Sequence, residues 1–246
     1  MDFQSINQLK EQLDSKRPIP SHIVRNLRSV YKVDWTYNSN AIEGNTLTLL
    51  ETKLVIEEGL TTGGKTLKEH FEAINHAEAI DYVEDMISKK DDISHFFIKN
   101  IHRLILKNID DDNAGKYRNK TNVRISGSRH IPPDFTVVQQ EMDHLLEWYR
   151  ENKDHLHPVE LSALFHFKFV YIHPFTDGNG RTARLLMNFI LMQFGYPPAI
   201  IKAKPEIRLR YYEALEKTSV EGKTDDFIEI VADCVTESLQ DYLSMF

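Results

Sequence analysis

Residues 173–184 read His-Pro-Phe-Thr-Asp-Gly-Asn-Gly-Arg-Thr-Ala-Arg. Two apolar segments flank them: residues 161–172 are apolar enough for a buried helix, and residues 182–194 are apolar at helical spacing. The twelve residues are therefore predicted to form a short loop that opens a buried helix. Because the first N–H groups of a helix lack acceptors within it, such a loop is typical of sites that bind an anion such as a polyphosphate.

The glycines and the acidic residue of this loop suit a phosphate group and its counter-ion. Gly178, Asn179 and Gly180 are expected to adopt positive φ angles that turn successive N–H groups toward one oxygen, and their small size lets a phosphate approach. Asp177 offers the kind of oxygen that Mg²⁺ prefers, and Mg²⁺ usually needs only one or two carboxylates beside phosphate oxygens and water. We therefore expect Asp177 to be a ligand of Mg²⁺ (or Mn²⁺).

The basic residues of the loop suit phosphate binding and proton transfer. Arg181 and Arg184 lie three residues apart on the first turn of the predicted helix, so both are expected to point the same way, with forked donors that match phosphate oxygens. His173 titrates near neutrality and is expected to take a proton from an attacking hydroxyl. The structural alternative is a Gly-rich turn between two core helices, with both arginines at the surface.

The twelve residues resemble the signature of the Fic family of protein adenylyltransferases, His-x-Phe-x-Asp/Glu-Gly-Asn-Gly-Arg-x-x-Arg, and match it at every specified position. The likeness extends to Tyr171-Ile-His before the motif and Leu185-Leu-Met-Asn after it, and covers roughly residues 96–242. It implies an all-α, multi-helix Fic-type fold with one small β-hairpin flap. It also implies transfer of AMP from ATP to a Ser, Thr or Tyr hydroxyl of a target protein, including the protein itself, with His173 as the catalytic base.

The predicted flap lies between Thr121 and Ile131, where Asn122-Val-Arg-Ile and then Ser126-Gly-Ser suggest a small hairpin. The edge of such a flap can pair with an extended segment of a target protein and hold its hydroxyl in line. We therefore expect an unidentified target protein to bind along the hairpin. An ordinary surface hairpin is the alternative.

The resemblance places ATP between the flap, the motif and a later helix. In the family a tyrosine pair and an asparagine line the adenine pocket; Tyr211-Tyr212 fits the pair, whereas Ser219 stands at the position of the asparagine. Core packing of both tyrosines beside Leu215 is the alternative. The ATP-binding residues that the resemblance implies are Gly127, Ser128, Arg129, His130, Asp177, Gly178, Asn179, Gly180, Arg181, Thr182, Ala183, Arg184, Tyr211, Tyr212 and Ser219.

Residues 39–45, Ser-Asn-Ala-Ile-Glu-Gly-Asn, resemble the family's inhibitory segment, Ser/Thr-x-x-x-Glu-Gly/Asn. The resemblance implies an inhibitory role for Ser39, Glu43 and Gly44. Glu43 would pair with Arg184 and keep that guanidinium from the γ-phosphate, so that ATP binds with its phosphates misplaced. The same glutamate is implied to align a water for removal of AMP. A surface glutamate at a helix end before glycine is the alternative.

The remaining sequence reads as helical. Capping boxes are predicted at Thr48–Glu51 and Thr136–Gln139, and two late helices at 205–219 and 225–243. We expect an N-terminal helical region over residues 1–92, which carries the inhibitory segment at about residues 36–45. The Fic catalytic core and the C-terminal helices would then occupy residues 93–246.

Composition excludes several functional classes. The chain has 246 residues and a formal charge of −7, which argues against a nucleic-acid partner. Its one cysteine, Cys234, allows no internal disulfide. No apolar run approaches the roughly 20 residues that span a bilayer, and the first residues lack a signal pattern. We expect a cytoplasmic protein without a membrane partner; a homodimer is a further expectation.

Three alternative functions are open at this point. Residues 59–66, Gly-Leu-Thr-Thr-Gly-Gly-Lys-Thr, satisfy the P-loop pattern, but the charged, helical run before them is not the buried strand that a P-loop requires. A Fic-type enzyme could transfer another nucleotide or phosphate-containing group. A non-catalytic helical module that senses nucleotide is the alternative outside enzymes, although the presence of both His173 and Asp177 argues against it.

Overall fold

The computed structural model describes residues 2–246, and this part of the chain folds into ten α-helices and one 3₁₀ turn. The helices are α1 (Gln4–Asp14), α2 (Ser21–Ile42), α3 (Leu49–Glu58), α4 (Leu67–Ser88), α5 (His95–Leu106), α6 (Val138–Asn152), α7 (Pro158–Ile172), α8 (Asn179–Gln193), α9 (Pro205–Glu221) and α10 (Asp225–Leu243). The predicted all-α class is confirmed. Among these helices, none combines the length and apolar character needed to cross a membrane.

Helices α7 and α8 pack against each other, and the first part of the motif connects them. Every side chain of α8 from Arg181 to Leu191 is buried. A helix that is covered on all sides needs neighbours all round. One hydrophobic cluster joins α8 to α2, α4, α5, α6 and α7, and a second joins it to α1, α7, α9 and α10. The start of α8 is therefore fixed in position by most of the fold.

Helix α2 carries the predicted inhibitory segment to the start of α8. It packs against α3 and α4 and also contacts α8. The helix ends at Ile42, and Glu43 follows as its C-terminal cap. Gly44 then adopts a φ of 97°, a left-handed conformation that favours glycine. The predicted segment thus comprises the end of α2 and the turn that follows it.

Of the two predicted capping boxes, the one at Thr48–Glu51 is confirmed and the one at Thr136–Gln139 is wrong. Thr48 and Glu51 exchange the reciprocal hydrogen bonds of a capping box at the start of α3. At Thr136 no such box forms, because the carboxylate of Asp134 accepts the Thr136 N–H and starts a 3₁₀ turn, Phe135–Val137, ahead of α6. The two late helices are confirmed as α9 and α10.

The sequence that matches the P-loop pattern does not form a P-loop. Gly59 ends α3 with a φ of 66°, so a helix rather than a strand precedes the glycines. Thr66 caps α4 through reciprocal hydrogen bonds with Glu69, and the Lys65 ammonium donates to the Thr46 carbonyl. The alternative that residues 59–66 form a P-loop is therefore wrong. The loop lies between two helices, and its lysine already donates to the Thr46 carbonyl.

Residues 121–131, the flap loop, do not form the predicted β-hairpin. The described residues 2–246 contain no paired strands, and the loop has only a turn in which the Ser128 N–H donates to the Ile125 carbonyl at 3.2 Å. An isolated two-stranded hairpin is marginal in water. Contacts from Glu216 and Tyr171 hold the loop instead. The flap is thus present as a loop beside α7 and α9, without a paired edge.

Candidate active site

His173 lies at the end of α7 in an unusual backbone conformation. Its φ is 50° and its ψ is 59°, a left-handed geometry that costs energy for a residue with a side chain and is concentrated at functional sites. The Nδ1 atom lies 3.3 Å from the Val170 carbonyl oxygen. A carbonyl only accepts, so Nδ1 carries the proton and Nε2 is the basic nitrogen. Burial lowers the pKa of His173, which favours this neutral form.

Arg118 fixes the turn that contains His173. This buried guanidinium donates to the carbonyls of His173 at 2.8 Å, Ile172 at 3.3 Å and Pro133 at 2.6 Å. The backbone N–H of Arg118 also donates to the Pro174 carbonyl at 2.9 Å. The rigid fork of the guanidinium therefore ties the end of α7 to the chain that follows the flap loop.

The motif loop closes on its own side chains. The Asn179 amide accepts the Phe175 N–H and donates to the Phe175 carbonyl, both at 2.9 Å. Phe175 is fully buried and stacks on His102 with ring centroids 3.5 Å apart. The Asn179 side chain is thus occupied within the loop, so only its backbone is left for a ligand.

His102 on α5 holds the motif loop through hydrogen bonds. Its Nε2 donates to the Asp177 carbonyl at 2.9 Å, and its Nδ1 accepts the Gly115 N–H at 2.9 Å. Burial lowers the pKa of His102 to about 4, so the ring is neutral near pH 7 and this pattern of one donor and one acceptor is stable. A Cβ at Gly178 would lie 3.3 Å from the His102 ring. This close approach and the positive φ of 72° together favour glycine at the start of α8.

The expected conformation of the three small residues is confirmed only at Gly178. Its φ is 72°, whereas Asn179 and Gly180 already belong to α8. The anion site is consequently the first turn of a helix rather than a nest of three positive φ angles. N–H groups of that turn have no acceptor within the helix, which preserves the predicted affinity for phosphate.

Asp177 is the one motif carboxylate available to a metal ion. Its side chain is 56% exposed, and its Oδ1 accepts the Gly178 N–H at 2.6 Å. Residues 2–246 contain no group of three or more His, Cys, Asp or Glu side chains that could hold a metal by themselves. A single hard oxygen ligand beside a phosphate site fits Mg²⁺ or Mn²⁺, which keep water and phosphate oxygens as the other ligands.

Arg184 is fully engaged by residues of α2 and α9. Its Nη2 donates to Glu43 Oε1 at 2.7 Å and to the Ser39 carbonyl at 2.8 Å, and its Nε donates to the Ser39 hydroxyl at 3.1 Å. Its Nη1 lies 3.4 Å from the Tyr211 hydroxyl. Burial alone would lower the pKa of Arg184, but the Glu43 carboxylate raises it overall. The predicted pairing of Glu43 with Arg184 is therefore present in the structure.

The two motif arginines do not share one direction. Arg181 lies with its Nη1 atom 3.2 Å from Glu72 Oε1 of α4 and its Nη2 atom 3.6 Å from Asp177 Oδ1. Three residues along a helix correspond to a rotation of about 60°, which is enough to bring the two buried guanidinium groups to different partners. The expectation that both arginines point the same way is wrong, and so is the alternative that both lie at the surface.

A cavity of about 460 Å³ joins these elements. Glu43, His173 and Gly180 line it on the motif side. Of the other predicted residues it is lined by Gly127, Ser128, His130, Tyr211, Tyr212 and Ser219. The remaining predicted ATP-binding residues, Arg129, Asp177, Gly178, Asn179, Arg181, Thr182, Ala183 and Arg184, are not part of its lining. Thr182 and Ala183 are fully buried in α8, so their side chains pack in the core.

The tyrosine pair on α9 has two different environments. Tyr211 is 1% exposed, and its hydroxyl lies between Arg184 and His166. Tyr212 is 40% exposed, and its hydroxyl donates to the Ile42 carbonyl at 3.1 Å. Only Tyr212 therefore presents substantial open ring surface to the cavity. Ser219 uses its hydroxyl proton on the Leu215 carbonyl, so its oxygen remains an acceptor.

The flap loop borders the cavity through contacts that the sequence did not indicate. Glu216 of α9 accepts hydrogen bonds from the Ser128 hydroxyl and from the Arg129 N–H. His130 is buried and donates from Nε2 to the Tyr171 carbonyl at 2.8 Å. The side chain of Arg129 is exposed and reaches Glu216 at 3.2 Å. The loop is therefore attached to the helix that forms the far wall of the cavity.

Sequence reasoning missed several residues of this site. Glu216, Arg208 and Val170 line the cavity, and Glu72 and His102 hold the motif from outside it. The sequence could have indicated two of them. Arg208, Tyr212 and Glu216 recur at four-residue intervals, which places Arg208 and Glu216 on the same face of α9 as the predicted Tyr212. Nothing local marked Glu72 or His102, because their partners are more than seventy residues away in the chain.

Comparison with known proteins agrees with this geometry. Residues 92–191 match the Fic/DOC family. The chain is 39% identical to the "Protein adenylyltransferase Fic" of Nematostella vectensis over 248 residues, and 38% identical to that of Drosophila melanogaster over 242 residues. These alignments cover 99% and 95% of this chain but 57% and 48% of the relatives, so the chain spans about half the length of the curated relatives it matches.

Solved structures show the same likeness. Fic-1 of C. elegans superposes with a TM-score of 0.88 at 33% identity, over 99% of this chain and 71% of that one. A Fic domain containing signaling protein of Bacteroides thetaiotaomicron gives 0.87 at 30% identity, over 97% and 96% of the two chains. Because residues 92–191 match the family model and a solved Fic structure of 30% identity is covered over 96% of its length, this chain belongs to the Fic/DOC family.

Proposed function

We propose that the protein is a protein adenylyltransferase that moves AMP from ATP to a Ser, Thr or Tyr hydroxyl of a target protein, itself included. The observation that carries the proposal is one cavity lined both by His173, whose Nε2 is the basic nitrogen, and by Gly180 of the first turn of α8. The names of the curated relatives support the same reaction. A base and an anion site are the two elements that attack on a phosphate by a hydroxyl requires.

Each element of the site has its own role in the proposed reaction. The polyphosphate lies against the first turn of α8, and the flap loop holds the target hydroxyl in line with the α-phosphorus. The target oxygen attacks that phosphorus while His173 Nε2 takes its proton. The bond from the α-phosphorus to the bridging oxygen breaks, pyrophosphate leaves, and AMP remains on the target. Asp177 would hold Mg²⁺ (or Mn²⁺), which neutralises phosphate charge when bound.

Glu43 inhibits this reaction in the proposal. A Cβ placed on Gly180 would overlap the Glu43 carboxylate, so the carboxylate lies directly over the first turn of α8. It therefore occupies space beside the anion site and also takes up the Arg184 guanidinium. Withdrawal of Glu43 would free Arg184 for the outer phosphate. The same carboxylate, once AMP is on the target, would be placed to align a water for its removal.

The chain divides in function near residue 92. We propose that residues 1–92 regulate the enzyme through the inhibitory segment, and that residues 93–246 carry catalysis. The target protein would lie along the flap loop. The cytoplasmic location and the homodimer remain predictions from the sequence.

Mass spectrometry tests the reaction class. The protein and its Glu43→Gly variant are incubated with ATP and Mg²⁺, and peptides are searched for a gain of one AMP. We expect AMP on hydroxyl side chains, more in the variant, and none when His173→Ala is added to Glu43→Gly. Calorimetry should show that the His173→Ala form still binds ATP.

The same experiment separates the alternatives. Parallel incubations with UTP, GTP and CTP detect a transferase of another nucleotide, which would appear as a different mass gain. Binding of ATP without any modification in the Glu43→Gly variant, with added cell extract as a source of targets, would instead indicate a nucleotide-sensing module and overturn the proposal.

A further inference from the structure

A buried histidine outside the motif is connected to the phosphate-binding arginine. His166 lies on α7, is fully buried, and places its Nε2 atom 3.0 Å from the Tyr211 hydroxyl. The same hydroxyl lies 3.4 Å from Arg184 Nη1. The three side chains therefore form one chain of contacts that runs from α8 through α9 to α7.

The direction of the hydrogen bonds in this chain is determined by its arginine. A guanidinium only donates, so the Tyr211 oxygen accepts from Arg184. The other contact of that hydroxyl is His166 Nε2, and we assign the single proton of Tyr211 to it. His166 consequently accepts at Nε2 and carries its proton on Nδ1. Burial, together with the charge of Arg184, lowers the pKa of His166 and keeps the ring neutral.

This arrangement has a cost that packing alone does not explain. The Nδ1 atom of His166 is buried without a hydrogen-bond partner among residues 2–246. Buried polar groups are normally satisfied, and an apolar side chain would avoid the loss. Phe227 packs beside the ring at 5.0 Å between centroids with the two planes tilted by 33°, so one side of the imidazole lies against an apolar surface. The imidazole therefore has a use at Nε2.

We propose that His166 is a positioning residue for Arg184, acting through Tyr211, and so determines how the protein binds the outer phosphates of a nucleoside triphosphate. By accepting the Tyr211 proton, His166 keeps a lone pair of the hydroxyl turned toward Arg184. When Glu43 withdraws, Ser39 and Tyr211 are the contacts that remain on the guanidinium. This inference rests on the proposed function, in which Arg184 meets a phosphate.

A matched pair of substitutions in the Glu43→Gly protein tests the inference. His166→Gln supplies an acceptor near the position of Nε2, whereas His166→Met has similar length and no strong acceptor. We expect His166→Met to weaken MgATP binding at least about tenfold while AMP binding, which lacks the outer phosphates, stays within about twofold. His166→Gln should retain most of the MgATP affinity. In labelling assays the His166→Met loss should appear mainly in KM.

Two outcomes would overturn the inference. Equal loss of MgATP and AMP affinity would indicate a general packing defect, and identical behaviour of the Gln and Met variants would show that the acceptor is irrelevant. Adding Tyr211→Phe should abolish any difference between the Gln and Met variants, because the connection to Arg184 is then already cut. The affinities for MgATP and AMP can be measured whether or not the protein transfers AMP. A negative result on His166 is therefore distinguishable from a failure of the proposed transferase activity.

A measurement on the unmodified protein covers the case in which the variants fold poorly. Nitrogen NMR of labelled histidine should show His166 as a neutral ring with the proton on Nδ1. A proton on Nε2, or a charged ring at pH 7, would reverse the required hydrogen bond and exclude the proposed role.

Discussion

The carboxylate of Glu43 lies where a side chain at Gly180 would be. A Cβ built on Gly180 would overlap Glu43 Oε1 and come within 3.1 Å of Arg184 Nη1. The glycine at this position therefore leaves space for the Glu43 carboxylate and, in the proposed active state, for a phosphate group. Arg184, 141 positions from Glu43 in the chain, donates to the Glu43 carboxylate and so holds it at this place.

This relationship predicts that Gly180→Ala disrupts the site without activating it. The added methyl group should displace Glu43 and also block the phosphate, so labelling should stay below that of Glu43→Gly by at least about tenfold, or about 1.4 kcal/mol in the barrier. The double variant Glu43→Gly/Gly180→Ala should be equally inactive. Ala183→Gly, on the buried side of the same helix, controls for loss of stability. Activation by Gly180→Ala to the level of Glu43→Gly would contradict the shared-space explanation.

The pKa of His173 predicts the acid limb of the pH profile. Burial lowers this pKa below the ordinary 6.5, so the neutral base persists to lower pH and activity should fall only as pH drops through a value below 6.5. The kcat/KM of the Glu43→Gly variant for MgATP, measured from pH 5 to pH 8, reports the pKa of the free enzyme and checks the sign. His144→Gln, at an exposed histidine of α6, should leave the profile unchanged. A midpoint above 6.5 would be inconsistent with the buried, neutral His173.

Arg118→Lys should lower catalysis because lysine cannot reach three carbonyls with one rigid group. The guanidinium holds the backbone of Ile172, His173 and Pro133 together. We expect kcat to fall at least about tenfold, about 1.4 kcal/mol, with a smaller change in KM for ATP. Arg124→Lys, at an exposed position of the flap loop, is the matched control. Unchanged kcat would show that the turn at His173 keeps its geometry without the brace.

Asp177→Asn tests the metal ligand without changing the shape of the loop. The amide oxygen can still accept the Gly178 N–H, but the negative charge is lost. The Mg²⁺ concentration for half-maximal labelling should rise at least about tenfold, equivalent to about 1.4 kcal/mol of binding. Asp112→Asn, in an exposed turn, should not change it. The same Mg²⁺ dependence in both variants would remove Asp177 from the proposed metal site.

Glu69 predicts a pH-dependent contribution to stability. Hydrogen bonds from Thr46 and Thr66 lower the pKa of Glu69 to about 2, against 4.5 for the unperturbed group. A lowered pKa means that the charged form stabilises the fold fully above pH 4.5 and that this stabilisation is lost as pH falls from 4.5 toward 2. The difference in free energy of unfolding between wild type and Glu69→Gln, measured by denaturant titration, should therefore shrink between pH 6 and pH 3.

Glu58→Gln serves as the control for this stability measurement. Glu58 is exposed at the end of α3, so its replacement should change the free energy of unfolding little at either pH. A Glu69→Gln difference that stays constant between pH 6 and pH 3 would contradict the predicted linkage. Glu69 also accepts hydrogen bonds from the backbone N–H and the hydroxyl of Thr46, just after the predicted inhibitory segment, so the same variant should loosen that segment.

The sequence alone determined the parts of this protein that depend on neighbours in the chain. The loop that opens α8, the capping box at Thr48 and the apolar run of α8 were all predicted, because caps, turns and helical periodicity act within a few residues. The pairing of Glu43 with Arg184 was also predicted, but through a family resemblance rather than from local physics.

The tertiary structure decided what each charged or polar side chain meets. It directed Arg181 to Glu72 and Arg184 to Ser39 and Glu43, and it held the flap loop through Glu216 instead of by paired strands. It also placed His166 behind Tyr211. The physical reason is that most buried polar groups find partners, and in a helical fold those partners come from helices that are remote in sequence, where no local pattern records them.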